Sequence, residues 1–145
     1  MEEQLELIKS QLYKSEVTFP LLRERLLRSG ELRAWYRYYH GGNQWANKHF
    51  MEENVFLMSE VLIWNQISED GQMDIYSFKL DEISKVDRDY TYEDKTCQKL
   101  VLSQAIVTFK TMKDKRARDT LVFKRPLAAE MGDIEGFERL LNLLD

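Results

Sequence analysis

The residues of this chain that could bind a metal are few and far apart. The two histidines are His40 and His49, and a zinc site needs three or four ligands, so Glu52 and Glu53 would have to supply oxygen atoms. Neither the HxH nor the HxxxH spacing of metal motifs occurs. We therefore expect a turn histidine and an exposed strand histidine, and no bound metal.

Carboxylates gather at residues 87–94, just before the single cysteine, Cys97. Such a group could hold a divalent cation or transfer protons, but the glycine and closing glutamate of a calcium loop are missing at the required offsets. Cys97 lacks a neighbouring base that would raise its thiolate fraction. P-loop, GxGxxG, GxSxG and HExxH motifs are also absent. We expect a solvated acidic segment, no catalytic residues and no cofactor.

Basic side chains form two candidate sites for an anion or an acidic partner. One is the charged loop 113–119 and the other lies beside the predicted turn 40–43. The residues concerned are Lys113, Lys115, Arg116 and Arg118 in the loop, and Arg33 and Arg37 beside the turn. A solvated hairpin loop is the alternative interpretation of 113–119.

Aromatic and arginine side chains alternate along residues 33–39, so Arg33, Trp35, Arg37 and Tyr39 share one strand face. Aromatics interleaved with arginine can stack the bases of single-stranded nucleic acid. The alternative, which we favour, is that the rings are buried under N-terminal helices and the arginine stems cover their edges.

The composition is that of a folded domain with a mildly acidic balance. The 145 residues carry a net charge of −4, which disfavours a general binder of nucleic acid or anionic membrane. A single cysteine cannot form an internal disulfide, and we find no secretory signal and no apolar run near the roughly 20 residues that span a bilayer, so we expect a cytoplasmic protein. The charge is uneven, at −8 for residues 51–98 and +5 for residues 99–130. Oppositely charged faces of this kind could support a homo-oligomer.

Periodicity places two helices at the start of the chain and one at the end. The first covers 2–15, and the second covers 18–29 with Thr18 as N-cap and Pro20 in the first turn. The last begins after an N-cap at Asp133 and carries an apolar stripe.

Between the helices, alternating apolar residues and turn signals predict a series of strands. Residues 45–50 are predicted to return as a hairpin partner of 31–39. An imperfect alternation after residue 82 predicts a bulge or bend, and the buried face of the long strand is predicted to switch near Ala105. The predicted strands are 31–39, 45–50, 54–58, 61–66, 74–80, 82–92, 98–112 and 120–125.

Three segments, Asn54–Trp64, Tyr76–Val86 and Asp133–Leu143, together resemble the pleckstrin-homology-like superfamily, which includes bacterial PH-like and GRAM domains. The first is similar to a hairpin turning at a serine, the second to an L-x-x-I-x-x-V strand and the third to the capping helix. The resemblance covers residues 31–145 and implies an α+β fold, with an antiparallel barrel or sandwich of about seven strands capped by a C-terminal helix. Residues 1–30 are a helical extension that we expect to pack on the sheet.

The resemblance, together with the lack of catalytic motifs, implies a non-enzymatic protein-interaction module of a bacterial cytoplasm, binding through strand edges and loops. One alternative is a small-ligand-binding or enzymatic cone similar to nuclear transport factor 2, with a pocket of Trp35, Tyr38, Trp45 and Asp87. Another is weak binding of phosphoinositides or anionic lipids, although we expect neither a membrane nor a nucleic acid as the main partner.

Overall fold

The computed structural model describes residues 1–39, 52–69, 72–110, 120–128 and 132–144. The elements in these ranges are α1 (Glu2–Gln11), α2 (Ser15–Arg28), β1 (Leu32–Tyr39), β2 (Glu52–Met58), β3 (Val61–Ile67), β4 (Met73–Lys79), a 3₁₀ turn (Leu80–Glu82), β5 (Ile83–Tyr92), β6 (Leu100–Phe109), β7 (Thr120–Lys124) and α3 (Ile134–Leu143). No helix in this part of the chain is long and apolar enough to cross a bilayer.

The strands form two antiparallel sheets, which we call sheet A, in the order β1-β2-β3-β4, and sheet B, in the order β5-β6-β7. No ladder in the described ranges joins sheet A to sheet B, so the sheets make a sandwich and not a closed barrel. The predicted α+β class, with a helical pair, about seven strands and a terminal helix, is therefore confirmed.

Sheet A separates two apolar cores because neighbouring residues of a strand face opposite sides. Trp35 opposes Phe56 on one face, and Tyr36 opposes Val55 on the other. The first face packs on α1, α2 and the turn between them, which contribute Leu5, Ile8, Leu12, Phe19, Leu22 and Leu26 to a common cluster. The second face packs on sheet B and α3. Both faces of β1 are thus covered, as its aromatic residues require.

The two N-terminal helices differ in their limits from the sequence prediction. The first ends at Gln11, and the second begins at Ser15, so Thr18 lies inside α2 and is not its N-cap. The Thr18 hydroxyl donates to the carbonyls of Tyr13 and Lys14, at 3.0 and 3.1 Å, an interaction that threonine makes within helices. Pro20 removes one N–H from the helical hydrogen bonds. The acceptor of that N–H would be the carbonyl oxygen of Glu16, an exposed residue whose carbonyl can be hydrated instead.

Helix α3 closes one side of the sandwich against β1. Asp133 caps it as predicted, since its carboxylate accepts the Gly136 N–H at 2.9 Å. Phe137 packs edge-on against Tyr36, with ring centroids 5.3 Å apart. Gly136 allows this approach, because a Cβ atom there would lie only 2.5 Å from the Trp35 carbonyl oxygen.

The partner of β1 is β2, from Met58 opposite Leu32 to Glu52 opposite Tyr39. The predicted returning strand at 45–50 lies outside the described residues. The next hairpin turns at Ser59 and Glu60, as predicted.

Sheet B is irregular where the sequence predicts a bend. Its β5–β6 ladder shifts register near both Ile83 and Asp89. The second shift leaves Ser103 without a partner in the β5–β6 register, so along the chain the inward face of β6 changes from even to odd residues, close to the predicted position at Ala105. Leu100 is 56% exposed, because β7 pairs only with residues 104–108 of β6.

Candidate interaction site

The two arginines proposed from the sequence as anion ligands have different surroundings. Arg33 is exposed, at the bulge where the register of β1 with β2 shifts. The Arg37 guanidinium forms an ion pair with Glu52, whose side chain is fully buried. The Glu52 carboxylate also accepts the backbone N–H of Tyr13 at 3.0 Å. An external anion would therefore have to compete with Glu52 for Arg37. The remaining proposed ligands, Lys113, Lys115, Arg116 and Arg118, lie outside the described residues.

Buried amide side chains lie beside the Arg37–Glu52 ion pair on sheet A, and we call these hydrogen-bonded polar groups together the polar track. The Asn54 Nδ2 donates to Asn65 Oδ1 at 3.0 Å, and Asn65 Nδ2 donates to the Asp74 carbonyl at 3.2 Å. Both asparagines are completely buried. Because a slip of one residue would separate these donors from their acceptors, the track holds β2, β3 and β4 in one register.

The acidic residues at 87–94 do not converge. Each has its own neighbour, in the pairs Asp87–Lys85, Asp89–Gln104, Glu93–Lys99 and Asp94–Thr96. Hydrogen bonds from the Thr96 hydroxyl and N–H lower the pKa of Asp94. Among the described residues no three histidine, cysteine or acidic side chains could hold a metal ion together. His40 and His49 lie outside those residues.

The residues proposed for a ligand pocket also face different ways. Trp35 is stacked on Phe56, with centroids 5.9 Å apart, beneath the N-terminal helices. Tyr38 lies on the opposite face of β1 and packs at the border of the other core. Asp87 pairs with the exposed Lys85, at 3.3 Å. These three residues line no common pocket, and Trp45 lies outside the described residues.

Two tyrosines of β1 face the sandwich interior and are held in their neutral form. Burial, and then the negative charge of Glu53, raises the pKa of Tyr36 well above its ordinary value. The same two causes, in the same order, raise the pKa of Tyr38.

A groove lies between α2 and β4, at the outer edge of sheet A. Its volume is about 220 Å³, below the roughly 300–1,000 Å³ of small-molecule pockets. It is lined by Leu21, Glu24, Arg25 and Arg28 from the helix and by Met73 and Ile75 from the strand. Leu21 is 57% exposed. The groove therefore offers apolar surface and a net charge of +1 to a single large side chain.

The outer edge of β4 offers hydrogen-bonding groups beside this groove. The Ser68 N–H donates to the Gln72 carbonyl, and at the other end the Leu80 N–H donates to the Glu60 carbonyl. Bonded and non-bonded pairs alternate along an antiparallel ladder, so the even-numbered residues of β4 bond to β3. Met73, Ile75, Ser77 and Lys79 consequently point their N–H and C=O groups away from the sheet, and none of the described residues pairs with them.

The groove joins residues that are 45 to 54 positions apart, and sequence reasoning did not find it. The available signal was the position of Met73 and Ile75 on the same strand face, together with Leu21 outside the apolar stripe of α2. Comparison of the chain with family models, with curated proteins and with solved structures finds no match.

Proposed function

We propose that this chain is a non-enzymatic protein-interaction module that receives an extended segment of a partner along the free edge of β4. The supporting observation is the set of outward-pointing backbone groups at Met73, Ile75 and Ser77, next to the groove under α2. Strand addition at such an edge gains affinity from main-chain hydrogen bonds and specificity from alternate side chains.

The geometry of the edge supports a proposal for the partner's chemistry. In an antiparallel ladder, residues directly opposite each other have side chains on the same face. Residues bonded to Met73 and Ile75 would thus place their side chains beside α2, in the groove. One large apolar or aromatic side chain opposite Met73 or Ile75 would fill it, and acidic residues on the segment would balance Arg25 and Arg28.

The relationship to the pleckstrin-homology-like superfamily remains part of this proposal. Its support is the order of elements: a four-stranded sheet, a three-stranded sheet and a final amphipathic helix whose apolar residues lie in the core between them. The N-terminal helical pair is the addition that converts the β4 edge into one wall of a groove.

The test is the binding of a labelled synthetic peptide of alternating tyrosine and threonine with glutamate at both ends, followed by fluorescence anisotropy. We expect saturable binding to the wild-type chain. Ser77→Pro should weaken it by about tenfold, because proline removes one outward N–H, worth about 0.5–1.5 kcal/mol, and its ring obstructs the edge.

Ser77→Ala is the matched control, because it retains the N–H, and we expect it to bind like the wild type. Leu21→Glu, which alters only the helix wall of the groove, should also weaken binding and does not depend on the fold tolerating proline. Absence of peptide binding to the wild type, or equal binding by all variants, would show that the β4 edge is not the site.

A further inference from the structure

The far end of the β5–β6 hairpin projects from the sandwich as a two-stranded ribbon. We define the ribbon as residues 89–92 of β5 with residues 100–103 of β6. Only β5 forms a ladder with this part of β6, since the β7 ladder stops at Gln104 and adds a single hydrogen bond from the Arg125 N–H to the Ser103 carbonyl, at 2.8 Å. Tyr90, Tyr92 and Leu100 are 56%, 57% and 56% exposed. The ribbon therefore holds large apolar side chains in water.

These side chains share one face of the ribbon. Tyr90 opposes Leu102, and Tyr92 opposes Leu100, and opposed residues of an antiparallel pair lie on the same face. Alternate residues of a strand also share a face, so all four lie on one side of the ribbon. Leu102 packs against the sandwich core, and Tyr90, Tyr92 and Leu100 form the exposed apolar surface. Burying such a surface on a partner is favourable because apolar area leaves water.

The free edge of β5 presents the backbone of the same two tyrosines. The Glu93 N–H donates to the Lys99 carbonyl at 2.8 Å, which marks a bonded pair. By alternation Thr91 also bonds to β6, whereas Tyr90 and Tyr92 point their N–H and C=O groups outward. No described residue pairs with that edge.

We infer that the ribbon of a second copy of this chain occupies the groove between α2 and β4. This inference rests on the proposed function and names its partner. The β5 strand of the ribbon and the two residues after it, 89–94, read Asp-Tyr-Thr-Tyr-Glu-Asp, an alternating aromatic segment with a net charge of −3, in which Glu93 is paired with Lys99. That is the chemistry proposed above for the partner of the groove, whose lining carries a net charge of +1.

The two edges also match in hydrogen bonding. Outward groups occur at every second residue on β4 and again at Tyr90 and Tyr92 on β5. Antiparallel addition pairs the two tyrosines with two of Met73, Ile75 and Ser77. It directs both phenol rings to the side of sheet A on which α2 lies, and a ring opposite Met73 or Ile75 enters the groove, which has room for one large side chain.

The assembly is head-to-tail, because the two surfaces lie on different parts of the chain. Each copy has one groove and one ribbon, so association continues from copy to copy until a ring closes or a filament grows. Two-fold pairing of like surfaces stops at a dimer, whereas head-to-tail association predicts that the average mass rises beyond that of a dimer as the concentration increases.

The experiment uses analytical ultracentrifugation of the full chain and two variants. The ribbon variant is Tyr90→Ser/Tyr92→Ser, and the groove variant is Leu21→Glu/Arg25→Glu. All four side chains are exposed, so both variants should fold, which circular dichroism checks. The wild-type average mass should rise between micromolar and millimolar concentration, and each variant alone should remain a monomer.

An equal mixture of the two variants should form dimers and stop there. The intact groove of the ribbon variant accepts the intact ribbon of the groove variant, and the two remaining surfaces are both disabled. A monomeric wild type, a ribbon variant that associates normally, or a mixture that stays monomeric would each overturn the inference. Peptide binding by a wild type that does not self-associate would reject the ribbon as partner and retain the proposed function.

Discussion

At the scale of single residues, the polar groups between sheet A and the N-terminal helices decide which charges are available for binding. Glu52 is fully buried, yet it is satisfied by the Arg37 guanidinium and by the Tyr13 N–H. Tyr13 lies between α1 and α2, so Glu52 fastens the helical pair to the sheet at the turn between them. Arg37 serves this attachment, whereas Arg33, four residues earlier, remains exposed.

The difference between these two arginines leads to a stability prediction. Arg37→Ala leaves the Glu52 carboxylate buried without its positive partner, and breaking a buried pair in this way costs about 3–5 kcal/mol. Arg33→Ala, the matched control on the same strand, should change stability by less than about 0.5 kcal/mol. Urea unfolding followed by tryptophan fluorescence measures both.

A second substitution separates the role of charge from that of shape. Adding Glu52→Gln to Arg37→Ala should recover part of the loss, because the glutamine oxygen still accepts the Tyr13 N–H and carries no charge. If Arg37→Ala were as mild as Arg33→Ala, the ion pair would have no structural role.

At the scale of elements, the position of helix α3 against β1 depends on Gly136, a residue type with low helix propensity. Glycine inside a helix is about 1 kcal/mol less favourable than alanine. At Gly136 the gain from alanine is opposed by contact, since its Cβ would lie 2.5 Å from the Trp35 carbonyl oxygen, a backbone atom that cannot rotate away. Helix propensity therefore predicts that Gly136→Ala raises the free energy of unfolding, whereas packing predicts that it lowers it.

We expect packing to prevail, so that Gly136→Ala lowers the free energy of unfolding and moves α3 away from β1. Asn142→Ala, an exposed change in the same helix, should raise stability by a few tenths of a kcal/mol through propensity alone. Thermal unfolding by circular dichroism compares the two variants. An increase in stability for both would mean that β1 adjusts to the added methyl group.

Local sequence patterns predicted most elements, because helices and strands leave periodic apolar residues. They predicted the Asp133 cap, the turn at Ser59 and Glu60, and the irregular β5–β6 ladder. These patterns failed where one type of side chain can form two kinds of hydrogen bond. Threonine caps helices but also bonds backward within them, and Thr18 does the latter. The groove depends on how α2 lies against β4, which is a tertiary contact with no local pattern.

At the scale of the whole molecule, sheet A belongs to two cores at once. The helical pair buries one face, with Leu22 fully buried, and sheet B with α3 buries the other, with Leu140 fully buried. A strand of sheet A cannot lose the packing on one face without weakening the packing on the other face, because each strand supplies alternate residues to both cores. Residues 1–30 and 31–145, although distinct in sequence pattern, should therefore unfold together.

Two matched substitutions test this cooperativity. Leu22→Ala and Leu140→Ala each remove a buried side chain from a different core and should each cost about 2–5 kcal/mol. If the chain is one cooperative unit, both variants shift the urea midpoint without changing the slope, which reflects the surface exposed on unfolding. Helical circular dichroism and tryptophan fluorescence should then give coincident transitions.

A separate early loss of helix in Leu22→Ala, with a reduced slope for the remaining transition, would show instead that residues 1–30 detach from a sandwich that is stable without them. In that case the groove would open before the fold is lost, and peptide binding would disappear at the first transition.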